Sequence, residues 1–177
     1  MSAGGAPRFA LVLASCLLAA EVAAASYAAR VVAVHDGDTL TVLAQRREVR
    51  LRLAAIDAPE RGQPYAQASR RALAARVAGR VVDIEARGRD RYGRTLAVVR
   101  VDGVDVNRAQ VRDGWAWVFR RVADEPGLLA LEDEARRERR GLWRDAHPVP
   151  PWTWRDRLAA ARPRDAAAPP ATPVPGR

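Results

Sequence analysis

Five short runs of β-branched and apolar residues, separated by turn signals, constrain this chain more than any other feature. Ala28 to Val34 and Leu40 to Ala44 flank the turn dipeptide Asp36-Gly37, which predicts a hairpin. Glu48 to Ala55 alternates charged and apolar residues, as a third strand with one solvated face does. Val81 to Ala86 and Thr95 to Val101 flank the turn-rich stretch Gly88 to Gly93 and predict a second hairpin. Tyr65 to Val77 has apolar residues at helical spacing, with Gly79 placed to end it. Val104 to Asp113, stopped by Gly114, and Leu128 to Arg140, stopped by Gly141, predict two further helices. The fold class that accommodates these elements is α+β: a five-stranded OB-type Greek-key β-barrel with about three α-helices.

The length, 177 residues, suits one domain with a proper core. Residues 1–25 read as a signal peptide: Arg8, the apolar run Phe9 to Ala20, then the small residues Val22 to Ser26, with cleavage before Ser26. That run is too short to span a bilayer, and no later segment approaches the required length. The expected location is therefore secreted or periplasmic. Leu13-Ala14-Ser15-Cys16 also resembles a bacterial lipoprotein box, the alternative in which Cys16 carries a lipid anchor. Against it, Leu17-Leu18-Ala19-Ala20 continues the apolar run. Cleavage before Ser26 removes the single cysteine, so disulfides play no part in stability. The barrel domain is expected over residues 26–147. Residues 148–177 form a Pro/Ala-rich tail in which Trp152 and Trp154 pack onto the barrel, and its end, from Pro163, is too poor in apolar groups to fold. All thirty basic residues are arginine, and the formal charge of +9 suits a polyanionic partner.

Three charged clusters follow one another: Asp36-Gly37-Asp38-Thr39, then Arg52-Leu53-Ala54-Ala55-Ile56-Asp57-Ala58-Pro59-Glu60, then Asp90-Arg91-Tyr92-Gly93-Arg94. Singly, each is an ordinary turn, or for Asp57 to Glu60 a helix entry. Jointly they hold the parts for phosphodiester chemistry. Asp38 opens the second strand and Asp57 closes the third, so adjacent strand ends bring two carboxylates together, which is unfavourable without a cation between them. Those carboxylates, the Ala58 carbonyl and water make a shell of hard oxygens that suits Ca²⁺. With no Cys, and no His but His35, near the clusters, zinc is disfavoured. The spacing is not that of an EF-hand loop. Arg52 and Arg94 can hold the non-bridging oxygens of a phosphodiester bidentately, and Glu60 can orient or deprotonate the attacking water.

The order D-G-D-T, R-L-x-x-I-D-x-P-E, D-x-Y-G-R, followed by Val106-Asn107-x-x-x-Val111-x-x-Gly114-x-Ala116, resembles staphylococcal nuclease and its bacterial thermonuclease relatives. The resemblance covers about Ala28 to Trp143, and Glu134-Ala135-Arg136, Gly141-Leu142-Trp143 and Pro151-Trp152-x-Trp154-Arg155 also resemble bacterial members. It implies a calcium-dependent endonuclease on DNA and RNA, single-stranded or frayed stretches preferred, that leaves 3'-phosphates and acts as a monomer. By motif, Asp38, Asp57 and the Ala58 carbonyl correspond to metal ligands, and Arg52, Glu60 and Arg94 to catalytic residues. Asp36 and Thr39 sit close to the metal in relatives, and Tyr92 matches a tyrosine of the nucleotide pocket. The segment Arg61 to Tyr65 is shorter than the mobile loop of the staphylococcal enzyme, and further pocket tyrosines are missing. Phe119 and Arg120 are candidates for base stacking and a phosphate contact. The competing reading is a non-catalytic OB-fold module that binds nucleic acid or another polyanion.

Overall fold

The structure, a computed structural model, describes residues 26–119 and 127–161. The signal segment with Cys16, Arg120, and the tail end from Pro163 lie outside the described residues. Five strands form the barrel: β1 (Ser26–Val34), β2 (Thr39–Ala44), β3 (Arg47–Leu53), β5 (Val81–Arg89) and β6 (Thr95–Val101). They pair antiparallel in the order β3-β2-β1-β5-β6, and a parallel pairing of β3 with β6 closes the ring. Leu51 lies opposite Thr95, Arg52 opposite Leu96, and Leu53 opposite Ala97. The barrel is thus the one the strand pattern predicts.

The alternation along each strand fills the interior. Leu51 and Leu53 of β3, Leu40 and Val42 of β2, and Val82 and Ile84 of β5 are buried, whereas Val81 is exposed. Because side chains alternate between faces, burying Leu51 and Leu53 turns Arg50 and Arg52 away from the core. One register decision therefore sets both the core and a guanidinium outside it.

Two further strands differ from the expected layout. The third strand stops at Leu53, and Ala55 takes a left-handed turn. Asp57 then belongs to a separate short strand β4 (Ile56–Asp57), which pairs antiparallel with β8 (Trp117–Val118). A two-residue strand exists only through its partner, here 60 residues on, so alternation along the sequence merged it with β3. Similarly β7 (Val104–Asp105) pairs with β6, so α2 begins two residues later than expected (Val106–Arg112), with Asp105 accepting from the Arg108 N–H at 2.9 Å.

Helix α1 (Ala66–Val77) buries Leu73 and Val77 against the barrel. Helix α3 (Leu128–Arg137) ends three residues earlier than the pattern indicated, and a 3₁₀ turn follows at Gly141–Arg144. Ala135, Leu142, Trp143 and Trp117 form a second apolar cluster, with the two indoles edge to face at 5.3 Å. The tail contributes a fourth helix among the described residues, α4 (Pro151–Ala161), beyond the about three expected. Pro151 opens it, a position where the missing N–H costs no hydrogen bond.

Candidate active site

The Asp36-Gly37-Asp38 turn is held from three sides. The Gly37 carbonyl accepts from the buried Gln110 amide at 2.7 Å, the Leu53 N–H donates to the Asp38 carbonyl at 2.8 Å, and the Asp38 N–H donates to an Asp36 carboxylate oxygen at 3.0 Å. Glycine is required at position 37 by space. A Cβ there would stand 1.7 Å from Ser69 Oγ and 2.8 Å from the Ala58 Cβ. Helix α1 and the Ala58 loop thus press directly on the turn.

The second cluster is anchored through Asn107 at the start of α2. Its side chain accepts from the Val99 N–H at 3.1 Å and donates to the Ala54 and Ala97 carbonyls at 3.0 Å each. These bonds clamp the seam where β3 meets β6 and aim the chain into β4. From the far side, buried Glu132 of α3 accepts from the Val118 N–H at 3.0 Å and so holds β8 under Asp57.

Asp38 and Asp57 are both buried, and Arg52 stands between them. One Arg52 amino group pairs with Asp38 Oδ2, and the other donates to Asp57 Oδ1 at 2.6 Å. Asp38 Oδ2 also accepts from the Ala58 N–H at 2.5 Å, and its Oδ1 from the Thr39 hydroxyl at 3.0 Å. Asp36 and Thr39 therefore both touch Asp38. Burial pushes the Asp38 carboxyl up to about 6, and Arg52 only partly offsets this. Burial also works against the charge on Arg52, but Asp38 and Asp57 outweigh it and hold that guanidinium above its ordinary value.

Glu60 lies in an irregular loop, and no helix begins at Asp57; α1 starts at Ala66. Its N–H donates to Gln63 Oε1 at 2.9 Å, and the Gln63 amide reaches the Val149 carbonyl at 2.6 Å. The loop after Glu60 is thereby tied to the segment that opens α4. That helix sends Arg155 into the site: its guanidinium meets Asp57 Oδ2 at 2.8 Å, Asp57 Oδ1 at 3.3 Å and Glu60 Oε1 at 2.5 Å. Burial lowers the Arg155 value and these bonds more than restore it, so the net direction is upward. The sequence assigns no role to Arg155, which enters there only as the last residue of the run Pro151-Trp152-x-Trp154-Arg155.

The third cluster is a tight turn between β5 and β6. Asp90 accepts from the N–H groups of Tyr92 at 2.9 Å and Arg94 at 3.0 Å, and from Arg94 Nε at 2.7 Å. Burial raises the Asp90 carboxyl, but these bonds prevail and hold it below its ordinary range. Tyr92 is 69% exposed, with the Arg91 and Arg94 guanidiniums over its ring at 4.8 and 5.5 Å. Phe119 is half-buried, its N–H donates to the Ala55 carbonyl at 2.9 Å, and its ring lies 6.4 Å from Trp152. Trp117 and Val118 are core.

Asp36, Asp38, Arg52, Asp57, Ala58, Glu60, Tyr92, Arg94, Phe119 and Arg155 all line one open cleft of about 1310 Å³, and Thr39 does not. No His or Cys lines it. Among the described residues no three acidic, His or Cys side chains group as a metal cluster. What the cleft offers a metal is a buried carboxylate pair with hard oxygens and no softer donor beside it. That donor chemistry fits a calcium ion and not a softer metal.

A closed five-stranded barrel that carries carboxylates and guanidiniums on one cleft at its mouth defines a barrel protein equipped for phosphodiesters. Residues 50–145 match the family model described as staphylococcal nuclease homologue. The chain belongs to the staphylococcal nuclease family, which places it among the nucleases. It is 50% identical over 129 residues to an uncharacterized endonuclease of Escherichia coli O157:H7, an alignment covering 72% of this chain and 84% of the relative. It is 39% identical over 127 residues to an uncharacterized endonuclease of Haemophilus influenzae, covering 71% of each chain. It is 38% identical over 142 residues to the micrococcal nuclease of Shigella flexneri, covering 74% of this chain and 82% of the relative.

Proposed function

We propose that the protein is an extracytoplasmic, calcium-dependent endonuclease that hydrolyses phosphodiester bonds of DNA and RNA with low sequence specificity and leaves 3'-phosphates. One observation carries this reading: the acid pair, Glu60, Arg52 and Arg94 line a single open cleft. The endonuclease and micrococcal nuclease names of the relatives support the reaction class. Asp38, Asp57 and the Ala58 carbonyl are the groups to hold calcium, which supplies charge neutralisation at the phosphate and polarises water when bound.

The protein groups divide the remaining work. Arg52 and Arg94 grip the non-bridging oxygens, whose charge grows as the phosphorus becomes five-coordinate, so their hold strengthens in the transition state. Glu60 orients the attacking water and accepts its proton. The water oxygen bonds to phosphorus, the bond to the 5'-oxygen breaks, and that oxygen takes a proton from solvent in the open cleft, which leaves a 5'-hydroxyl and the phosphate on the 3' side. Tyr92 and Phe119 offer ring faces to the flanking nucleotides, with Arg120 as a phosphate contact. The open cleft takes single-stranded or frayed stretches more easily than stiff duplex. The protein acts as a monomer, after removal of residues 1–25.

A digest of plasmid and of single-stranded DNA and RNA, each with calcium and with chelator, tests the activity. Cleavage confined to the calcium tubes, with 3'-phosphate ends, is the expected result. Binding that survives chelation without cleavage in either tube would favour the non-catalytic binding module. Mass spectrometry of the exported protein should find Ser26 at the mature N-terminus.

A further inference from the structure

Glu60 has little else to hold its side chain. It sits in a loop without regular structure, its side chain is 40% exposed, and the hydrogen bond between its own backbone and Gln63 fixes the main chain only. A free glutamate samples several rotamers, and a water-handling group loses effectiveness when its carboxylate wanders. The group that meets the carboxylate is Arg155, which comes from 95 residues away at 2.5 Å.

The placement of Arg155 is built, and does not depend on one long side chain reaching out. Gln63 grips the Val149 carbonyl, which fixes the chain just before α4. Trp152, in the first turn, packs beside Phe119 and the second apolar cluster. Arg155 follows three residues later and so lies on the same helix face. Beyond it, residues 156–161 are all exposed. The helix is therefore docked by its first turn and by this one guanidinium. That guanidinium also spans Asp57, so it sets Glu60 at a fixed place relative to the acid pair and screens the repulsion between two neighbouring carboxylates.

We infer that Arg155 is a positioning residue for the nuclease reaction: a clamp from the C-terminal helix that holds the Glu60 carboxylate where it meets the attacking water. The inference rests on the reading of Glu60 as the water-handling group. It places residues 151–161 within the working enzyme, although they lie beyond the matched residues 50–145.

The test is a double-mutant cycle in the full-length protein, with a quenched fluorescent oligonucleotide as substrate and saturating calcium. Arg155→Gln should lower kcat about 10- to 100-fold with KM changed less than about threefold, as expected when a catalytic group is misplaced and substrate binding is kept. Arg155→Lys should recover part of the loss. In a Glu60→Gln background, Arg155→Gln should have no further effect. A wild-type kcat in Arg155→Gln, or the same fractional loss in both backgrounds, overturns the inference. Calcium titration by calorimetry supplies a readout apart from turnover. Arg155→Gln should bind calcium as well as the parent or more tightly, because Asp57 keeps Arg52 and loses one competing cation. A calcium affinity weakened about tenfold or more would mean that Arg155 serves the acid pair, and would also overturn the inference. If Glu60→Gln alone cleaves at the parent rate, the reading of Glu60 itself falls, an outcome distinct from the others.

Discussion

Arg52 and Arg94 face the same cleft, yet the protein holds them in opposite ways. Arg52 sits at the end of β3 between two core leucines, its side chain is 14% exposed, and it bridges two buried aspartates. Arg94 closes a surface turn, its side chain is 25% exposed, and its partner Asp90 is tied to the turn's own backbone. The first is embedded in a desolvated network where removal of any member strands a charge. The second rests on a local turn that would keep its shape without it. Two arginines given equal parts in the chemistry therefore differ in what they do for the fold, and substitutions at the two positions measure different things.

The largest effect is expected at Arg52. Arg52→Ala leaves the buried Asp38 without a guanidinium and Asp57 with Arg155 alone, which should cost on the order of 3–5 kcal/mol of stability as well as activity. Chemical denaturation in the presence of chelator checks this; unchanged stability would erase the contrast between the two arginines. Arg94→Ala should instead lower kcat by about 10²–10³ with a stability change within about 0.5 kcal/mol, as for loss of one transition-state contact at a surface turn. An unaltered cleavage rate in that variant would remove Arg94 from the mechanism. The pair also shows why Arg94 gives the cleaner test of the nuclease reading.

The same contrast bends the pH dependence of stability in two directions. Asp38 has a folded value near 6 against an ordinary 3.8, so it favours the native state below about pH 3.8 and that contribution is lost as pH rises through 6. Asp90 is shifted downward, so its contribution is present above 3.8 and is lost as pH falls below it. In chelator, denaturation from pH 4 to 7 should show a fall on the order of 1–3 kcal/mol from Asp38, smaller in Asp38→Asn and unaltered in Asp90→Asn. Saturating calcium should oppose the fall by binding the ionised carboxylate.

How far the sequence discloses this arrangement depends on the range of the interaction that fixes each part. The barrel strands, Asp38 and Arg52 are legible because alternation and turn chemistry act over a few residues. The alternation puts Asp57 at the end of β3, whereas it lies on β4, which owes its existence to β8. Gly37 reads in the sequence as a turn residue, whereas the structure requires glycine there because Ser69 and Ala58 crowd it, a contact no local pattern encodes. Arg155 is visible as the end of a family-like run, but nothing local tells that it meets carboxylates 95 and 98 residues away. What the clusters disclose is donor types, since carboxylates and guanidiniums can be counted in the sequence whatever the route by which they meet.

The smallest effect is expected at Tyr92, on the exposed wall. Its ring is 69% exposed and carries the Arg91 and Arg94 guanidiniums at 4.8 and 5.5 Å, so Tyr92→Ala removes a stacking face and loosens both without touching the acid pair. Base stacking is worth about 1–3 kcal/mol in favourable sites, and an exposed rim ring should deliver the lower end, a rise in KM of about fivefold. The kcat should stay within about threefold, because Asp90 still orients Arg94 through Nε. Tyr92→Phe should stay close to the parent, since it keeps the ring face and loses only the exposed bond from Arg91 to the hydroxyl at 2.7 Å. A collapse of kcat in Tyr92→Ala as deep as that of Arg94→Ala would show that the surface turn is itself a coupled network, and the two walls of the cleft would no longer differ in kind.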